Sequence, residues 1–471
     1  MILFQMVKLQ QLLKQYVKLR KFNNVSVAIQ LTSRYATVNK GILSFYVSGA
    51  HSTDISFMST GSCTGVYVDK VIDVSIPSGA TIKFQFDSGE VAVNLDYIEL
   101  GSGDGGTQLP PLQCKKIVVY WAAWEWYNGN YPSSIDATKV THINYAFADI
   151  GNDLKVKMGY PVVDPSSYQQ LRDLKNQNPD LKLLISVGGW TWSGKFSDVA
   201  LTETSRTNFA NSCVSFILEH GFDGVDIDWE YPVGGGAAGN TTRPEDKQNF
   251  TLLMTKLREK LDAQRQIDGK QYLLTVALAA SESKCDTSYE LNLLHQYVDF
   301  INIITYDYHG WWDQYTDFNS LLYTPIEYSP QDKFSINQTI QYYLSKGVPA
   351  NKIVVGVPFY GYKYNGVTNA NKGWLQTFTP ISDQAESSIP YKKLVTDYIG
   401  QQGYTRYWHS TAKVPWLFNG STFISYDDTI SLNDKMDYIL SNGLAGTMIW
   451  ELSQDDSSKT LLNTVYNKMS D

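Results

Sequence analysis

The sequence predicts an α/β chain: a (β/α)8 barrel of the TIM type with an α+β insertion between its seventh and eighth strands, preceded by an all-β module. Three observations carry this. From residue 115 onward, eight short apolar runs alternate with longer amphipathic stretches. The gap between the last two runs is by far the largest, and a connection that long inside a compact domain is a small subdomain. Before residue 100 the segments are short, rich in β-formers and separated by turn signals. A length of 471 residues suits one barrel-sized domain plus a smaller module.

In chain order, residues 1–23 come first as a segment of helical tendency. Leu12, Leu13, Tyr16 and Leu19 fall at helical spacing within basic Gln10–Lys21, the pattern of a membrane-surface helix. Met1–Val7 is apolar, but it lacks the basic start, the length and the cleavage site of a secretion signal. Residues 24–100 form the all-β module, with strands over Ile42–Val47, Val71–Ile76 and Thr81–Phe86 and a turn at Pro77-Ser78-Gly79. Residues 101–114, glycine-rich and then Pro110-Pro111, read as a linker ending in a stiff spacer. The barrel follows over 115–471. Its strands are expected at Ile117–Trp121, His142–Phe147, Lys182–Val187, Gly224–Trp229, Tyr272–Leu278, Phe300–Thr305, Ile353–Val357 and Ala445–Trp450. Helices are expected at Ser205–His220, Arg243–Ile267, Ile336–Lys346 and Leu432–Asn442. The insertion, 362–425, is rich in Tyr, Trp and Gly, with β-like runs at Gly373–Phe378 and Arg406–His409. Because it follows the C-terminal end of a strand, it would wall the face where barrels place their active sites.

Composition narrows the function. Hydrophobic residues make up 43% and charged residues 18% of the chain, the balance of a folded protein. The net charge is -8, with 39 Lys+Arg against 47 Asp+Glu, which argues against a nucleic-acid partner. No run reaches the ~18 apolar residues of a membrane span. Cys63, Cys114, Cys213 and Cys285 are too few and scattered for a disulfide framework or a CxxC metal site, although a Cys63–Cys114 bridge stays open. Sequons stand at Asn24, Asn240, Asn249, Asn337 and Asn419, in a chain where chance supplies several. The aromatic load is high, at 32 Tyr and 12 Trp, and amphipathic rings suit sugar faces.

The chemistry concentrates in Asp223-Gly224-Val225-Asp226-Ile227-Asp228-Trp229-Glu230-Tyr231. Alternate residues of a strand share a face, so Asp226, Asp228 and Glu230 line the barrel interior roughly 6.5–7 Å apart, while Val225, Ile227 and Trp229 face the helices. A solvated acidic face does not fit, because the interior of a parallel barrel is packed rather than wet. Glu230 stands last, at the C-terminal mouth. One like charge about 6.5 Å away costs roughly 2.5 kcal/mol at an effective dielectric of 20, close to two pH units, which keeps Glu230 protonated near neutrality. A protonated acid is what the leaving oxygen of a glycosidic bond requires. Asp223 has the wrong parity and is assigned a structural role.

Asp223 to Glu230 resembles the DxxDxDxE signature of the chitinases of glycoside hydrolase family 18. Ser186-Val187-Gly188-Gly189 is similar to the family's SxGG motif and Tyr306-Asp307 to its strand-six motif, and the resemblance spans about residues 116–468. It implies that Glu230 is the general acid and later the base. Asp228 would move between Asp226 and the substrate's acetamido group, and Tyr306 and Asp307 would hold that group. The substrate's own carbonyl is then the nucleophile, through an oxazolinium ion with retention of configuration, and neither metal nor cofactor is called for.

The same resemblance places Trp450 beneath the reacting sugar, Trp190 and Trp124 as stacking platforms, Tyr360 and Met448 in the cleft wall, and Tyr120 and Ser186 as hydrogen-bond partners of the inner aspartate. Core packing is the competing reading for each tryptophan. Many relatives carry arginine two residues after Tyr360; here the residue is Tyr362. His309 and the pair Trp311-Trp312 are open between a role in the cleft and one in the loop. Arg34-Tyr35-Ala36 and Asn94 to Leu100 are similar to a jelly-roll carbohydrate-binding module of family 6 or 35, truncated at its start, with Asn94 at a sugar-contacting or turn position. The resemblance implies an extracellular, monomeric chitinase acting on chitin and N-acetylglucosamine oligosaccharides. An endo-β-N-acetylglucosaminidase and a non-catalytic chitin lectin are the alternatives.

Overall fold

A computed structural model describes six strands before residue 103 by their backbone, and residues 115–328 and 334–470 in full. The chain divides after Cys114 into two compact units. The membrane-surface pattern of Gln10–Lys21, the Cys63–Cys114 pair and residues 103–114 of the linker lie outside the described residues, as do the side chains of Arg34-Tyr35-Ala36 and of Asn94 to Leu100. Gly101 and Ser102 prolong a strand instead of opening the linker.

The first unit holds β1 (Val27–Ala36), β2 (Gly41–Val47), β3 (Ala50–Phe57), β4 (Val68–Ile76), β5 (Ile82–Gln85) and β6 (Asn94–Ser102). They form two antiparallel three-stranded sheets, ordered β4-β1-β6 and β3-β2-β5.

The second unit is the expected barrel. Its strands are β7 (Lys116–Ala122), β8 (His142–Ile150), β10 (Lys182–Gly188), β11 (Gly224–Asp228), β12 (Leu273–Ala279), β13 (Phe300–Ile304), β14 (Ile353–Pro358) and β20 (Gly446–Trp450), with β9 (Val156–Met158) as a short antiparallel partner of β8. The eight pair in parallel around a closed ring, which β20 shuts against β7 and β8 against β10. These strands read as near-continuous apolar runs because both faces are covered, by helices outside and by packed side chains within. The exceptions are instructive: Tyr120, Asn144, Ser186, Asp226, Thr275 and Asn302 are polar and fully or almost fully buried.

The helices begin and end where local chemistry dictates. Glu203–His220 opens on a capping box between Thr202 and Ser205 and stops at Gly221, whose φ of 77° favours glycine. The next long helix spans Asp246–Asp268 instead of starting at Arg243, because Pro244 interrupts there and the Arg243 N–H is held by the Asp246 carboxylate at 2.7 Å.

After β14 the chain enters a five-stranded antiparallel sheet, β15 (Tyr360–Asn365), β16 (Ser388–Pro390), β17 (Thr405–His409), β18 (Val414–Phe418) and β19 (Thr422–Ser425), in the order β16-β15-β19-β18-β17. This is the insertion. Arg406–His409 is a strand as its pattern suggests, whereas Gly373–Phe378 is not. Trp374 there is buried, its indole N–H donating to Asp317 at 3.0 Å, and Leu375 has a φ of 54°, incompatible with a strand. No helix among the described residues is long and apolar enough to cross a membrane.

Candidate active site

The site grows from β11. Val225 and Ile227 are fully buried on its outer face, and Trp229 stacks on Phe196 with centroids 5.4 Å apart. Asp226 and Asp228 point the other way. Asp223, off that face, accepts from the Leu183 N–H at 2.8 Å and pairs with Lys175 at 2.5 Å and Lys270 at 3.3 Å, a lock between neighbouring strands and helices.

Barrel closure surrounds Asp226 with donors from four other strands. Tyr120 on β7 and Ser186 on β10 donate to Oδ2 at 2.6 and 2.8 Å; Thr275 on β12 and Asn302 on β13 donate to Oδ1 at 2.5 and 3.3 Å. These bonds pull its pKa down, yet complete burial prevails and holds it above the usual carboxylate range. Thr275 and Asn302 are partners that sequence reasoning missed, since neither belongs to a motif.

Asp228 is buried above Asp226, and its Oδ1 has no hydrogen-bond partner among the described residues. Burial first, then the charges of Glu230 and Asp226, hold it well above the ordinary carboxylate pKa. Glu230 lies beyond the end of β11, so strand periodicity does not aim it. Its backbone is fixed instead by Ser193, which the sequence did not single out, and by Asn240, noted there only as a sequon: its N–H donates to Ser193 Oγ at 2.8 Å, and its carbonyl accepts from Asn240 Nδ2 at 3.1 Å. The SxGG motif contributes by close approach. Gly188, at a φ of 104°, leaves room where a Cβ would stand 2.4 Å from the Asp228 carbonyl oxygen.

Glu230 is pushed up to about 7. The physical cause differs from the sequence argument. Burial is the largest contribution, a hydrogen bond from Tyr231 opposes it, and the charge that raises it further is that of Asp307. The repulsion within the strand falls on Asp228 instead.

A cavity of about 720 Å³ opens over this wall, lined by Asp228, Glu230, Tyr306, Asp307, Tyr120 and many aromatic rings. Trp450, Trp190, Trp124 and Tyr360 all line it. Trp450 packs in the floor, 5.4 Å from Tyr120 and 5.8 Å from Phe147, while Trp190 is 53% exposed. Trp311 and Trp312 line the cavity as well; the lining does not include His309, which pairs with Asp313 at 3.1 Å in the loop. Met448 is a correction: it is fully buried and does not reach the cleft wall. It accepts a weak hydrogen bond from the Tyr306 hydroxyl at 3.7 Å and so backs that residue from behind. Asp226 and Ser186 likewise lie beneath the cavity, outside its lining.

The model for glycosyl hydrolases family 18 matches residues 116–455. Chitinase A1 of Niallia circulans is 44% identical, over 74% of this chain and 57% of its own length. Among solved structures, chitinase ChiW from Paenibacillus sp. str. FPU-7 is 42% identical with a TM-score of 0.70, covering 76% of this chain and 43% of its own. Chitinase ChiA74 from Bacillus thuringiensis is 37% identical with a TM-score of 0.72, over 76% of this chain and 70% of its own. The chain therefore spans about half the length of Chitinase A1 and of ChiW.

Proposed function

The chain belongs to glycosyl hydrolases family 18, and from that premise we propose that it is a chitinase that cleaves β-1,4 linkages between N-acetylglucosamine units with retention of configuration. One observation carries the reading: a half-buried acid, its pKa pushed up to about 7, lines an aromatic cavity large enough for several sugar rings at the mouth of a barrel.

Glu230 gives its proton to the glycosidic oxygen as the C1–O bond breaks. The acetamido carbonyl of the same sugar forms the new bond to C1, producing an oxazolinium ion. Water then attacks C1 and displaces the acetamido oxygen, whose C1–O bond breaks to regenerate the neutral acetamido group, while the Glu230 carboxylate takes the water's proton, which restores the acid. The unpartnered Oδ1 of Asp228 suits the acetamido N–H, whose nitrogen becomes positive in the transition state. Tyr306 and Asp307 hold the acetamido group, and Trp450 supports the ring beneath them. Trp190, Trp124 and Tyr360 extend the sugar-binding surface.

Residues 24–100 are assigned, on their resemblance alone, to a carbohydrate-binding module that keeps the barrel near insoluble chitin. The substrate places the protein outside the cell, and one barrel supplies every residue of the site, so a monomer suffices.

The test is Glu230→Gln. Hydrolysis of N-acetylglucosamine oligomers should fall by at least about a thousandfold while oligomer binding persists. The wild type should release products whose new reducing end is initially β. An initial α-anomer, or undiminished turnover by the variant, defeats the reading.

A further inference from the structure

Tyr362 has no task in the mechanism above, although it lines the same cavity. On β15, Tyr360 and Tyr362 are alternate residues and share a face. Both hydroxyls donate to one atom, Oδ1 of Asp307, Tyr362 at 2.7 Å. The Asp307 backbone is pinned too, its N–H donating to Asn319 Oδ1 at 2.8 Å. With Oδ1 occupied twice, Oδ2 is the oxygen left for the cavity that Asp307 lines. Asp307 makes no ion pair among the described residues; its charge is met by two neutral phenols. The Tyr362 ring itself is wedged edge-on between Trp312, at 5.7 Å, and Tyr360, at 5.5 Å.

We propose that Tyr362 is a positioning residue: its hydroxyl aims Asp307 Oδ2 into the cleft and, bringing no positive charge, leaves that carboxylate's field acting on Glu230. The inference rests on Glu230 being the general acid. Asp307 supplies the charge that, after burial, raises the Glu230 pKa. The other groups around Glu230 are Asp228 and Tyr231 on its own segment, Tyr306 beside Asp307, and Tyr289 and Lys284 from the segment after β12. Lys284 is the cation among the cavity's lining residues, and its ammonium is bound to the Gly234 carbonyl and lies 5.3 Å from the Tyr231 ring. None of these is among the residues that Tyr362 hydrogen-bonds to or packs its ring against, which are Asp307, Trp312 and Tyr360.

A cation at residue 362 would pair with Asp307 and cancel its field, so Glu230 would lose its proton at lower pH. In Tyr362→Arg the alkaline limb of kcat/KM on N-acetylglucosamine oligomers should therefore move down by about one pH unit. Tyr362→Phe keeps the ring against Trp312 and removes one donor; kcat should fall about tenfold with KM little changed. A Tyr362→Arg limb that coincides with wild type, or a Tyr362→Phe variant with wild-type kcat, overturns the proposal. If thermal melts show that the buried arginine prevents folding, Asp307→Asn replaces it in the charge arm: its residual activity should show the same downward movement, and an unmoved limb overturns the proposal. Wild-type protein that turns over no oligomer sinks the proposed function and this inference together, whereas an active wild type with unmoved limbs sinks the inference alone.

Discussion

A general acid works only while it holds its proton, so in the proposed reaction the pKa of Glu230 sets the upper pH of catalysis. Raised to about 7, Glu230 is protonated through the mildly acidic range and loses the proton as pH rises past that value. The kcat/KM of the wild type should be lost above about pH 7, by tenfold for each further pH unit, as a profile from acid to alkaline conditions would show. A limb at the pKa of an ordinary exposed glutamate, ~4.3, would mean that burial does not act on this group as described. The inward-facing pair Asp226 and Asp228 was legible in the sequence because carboxyls at alternate positions have no innocent place inside a barrel. Their environment was not. Asp226 takes its donors from residues 40 to 106 positions away, and only ring closure brings β7, β10, β12 and β13 to the same atom. Asp307 reaches Glu230 in the same way. Met448 marks the reverse error: a residue that the resemblance placed in the cleft wall is packed behind Tyr306, because side-chain depth depends on what the neighbouring strands leave open.

Elements were legible in proportion to their periodicity. All eight barrel strands fall where their apolar runs place them, whereas Gly373–Phe378, judged by composition alone, proved irregular once Trp374 was drawn into the core. What ties elements together left no signal in the sequence. The helix Thr429–Ser441 carries Lys435, wholly buried, whose ammonium donates to the Ser320 carbonyl and hydroxyl at 2.8 Å each and to Asp427 at 2.7 Å. All three ammonium hydrogens are used, so the helix is bolted to the loop that follows β13. Lys435→Met should cost about 3–5 kcal/mol, because it strands the Asp427 charge in the core. Adding Asp427→Leu to that variant should recover much of the loss. Urea unfolding of both variants decides the matter, and a double variant less stable than Lys435→Met alone would show that the pair contributes more than mutual compensation.

At the scale of the whole molecule, the barrel is closed by its own ends. Lys116 opens β7 and its N–H donates to the Ala445 carbonyl at 2.9 Å, so the first strand pairs with the last. Each residue assigned to the reaction, and each strand of the ring, lies after residue 115. A chain of residues 115–471 should therefore fold and cleave soluble N-acetylglucosamine oligomers with the kcat/KM of the full protein. Insoluble chitin should separate the two. A sugar-binding module tethered to the barrel raises the local concentration of catalytic domain at the polymer surface without altering the reaction, so the full chain should be the faster of the two on chitin particles at low protein concentration. The advantage should vanish as the enzyme saturates the surface. Equal rates on particles under dilute conditions would remove the binding role assigned to residues 24–100, while loss of oligomer cleavage in the shorter chain would show that the barrel depends on what precedes it.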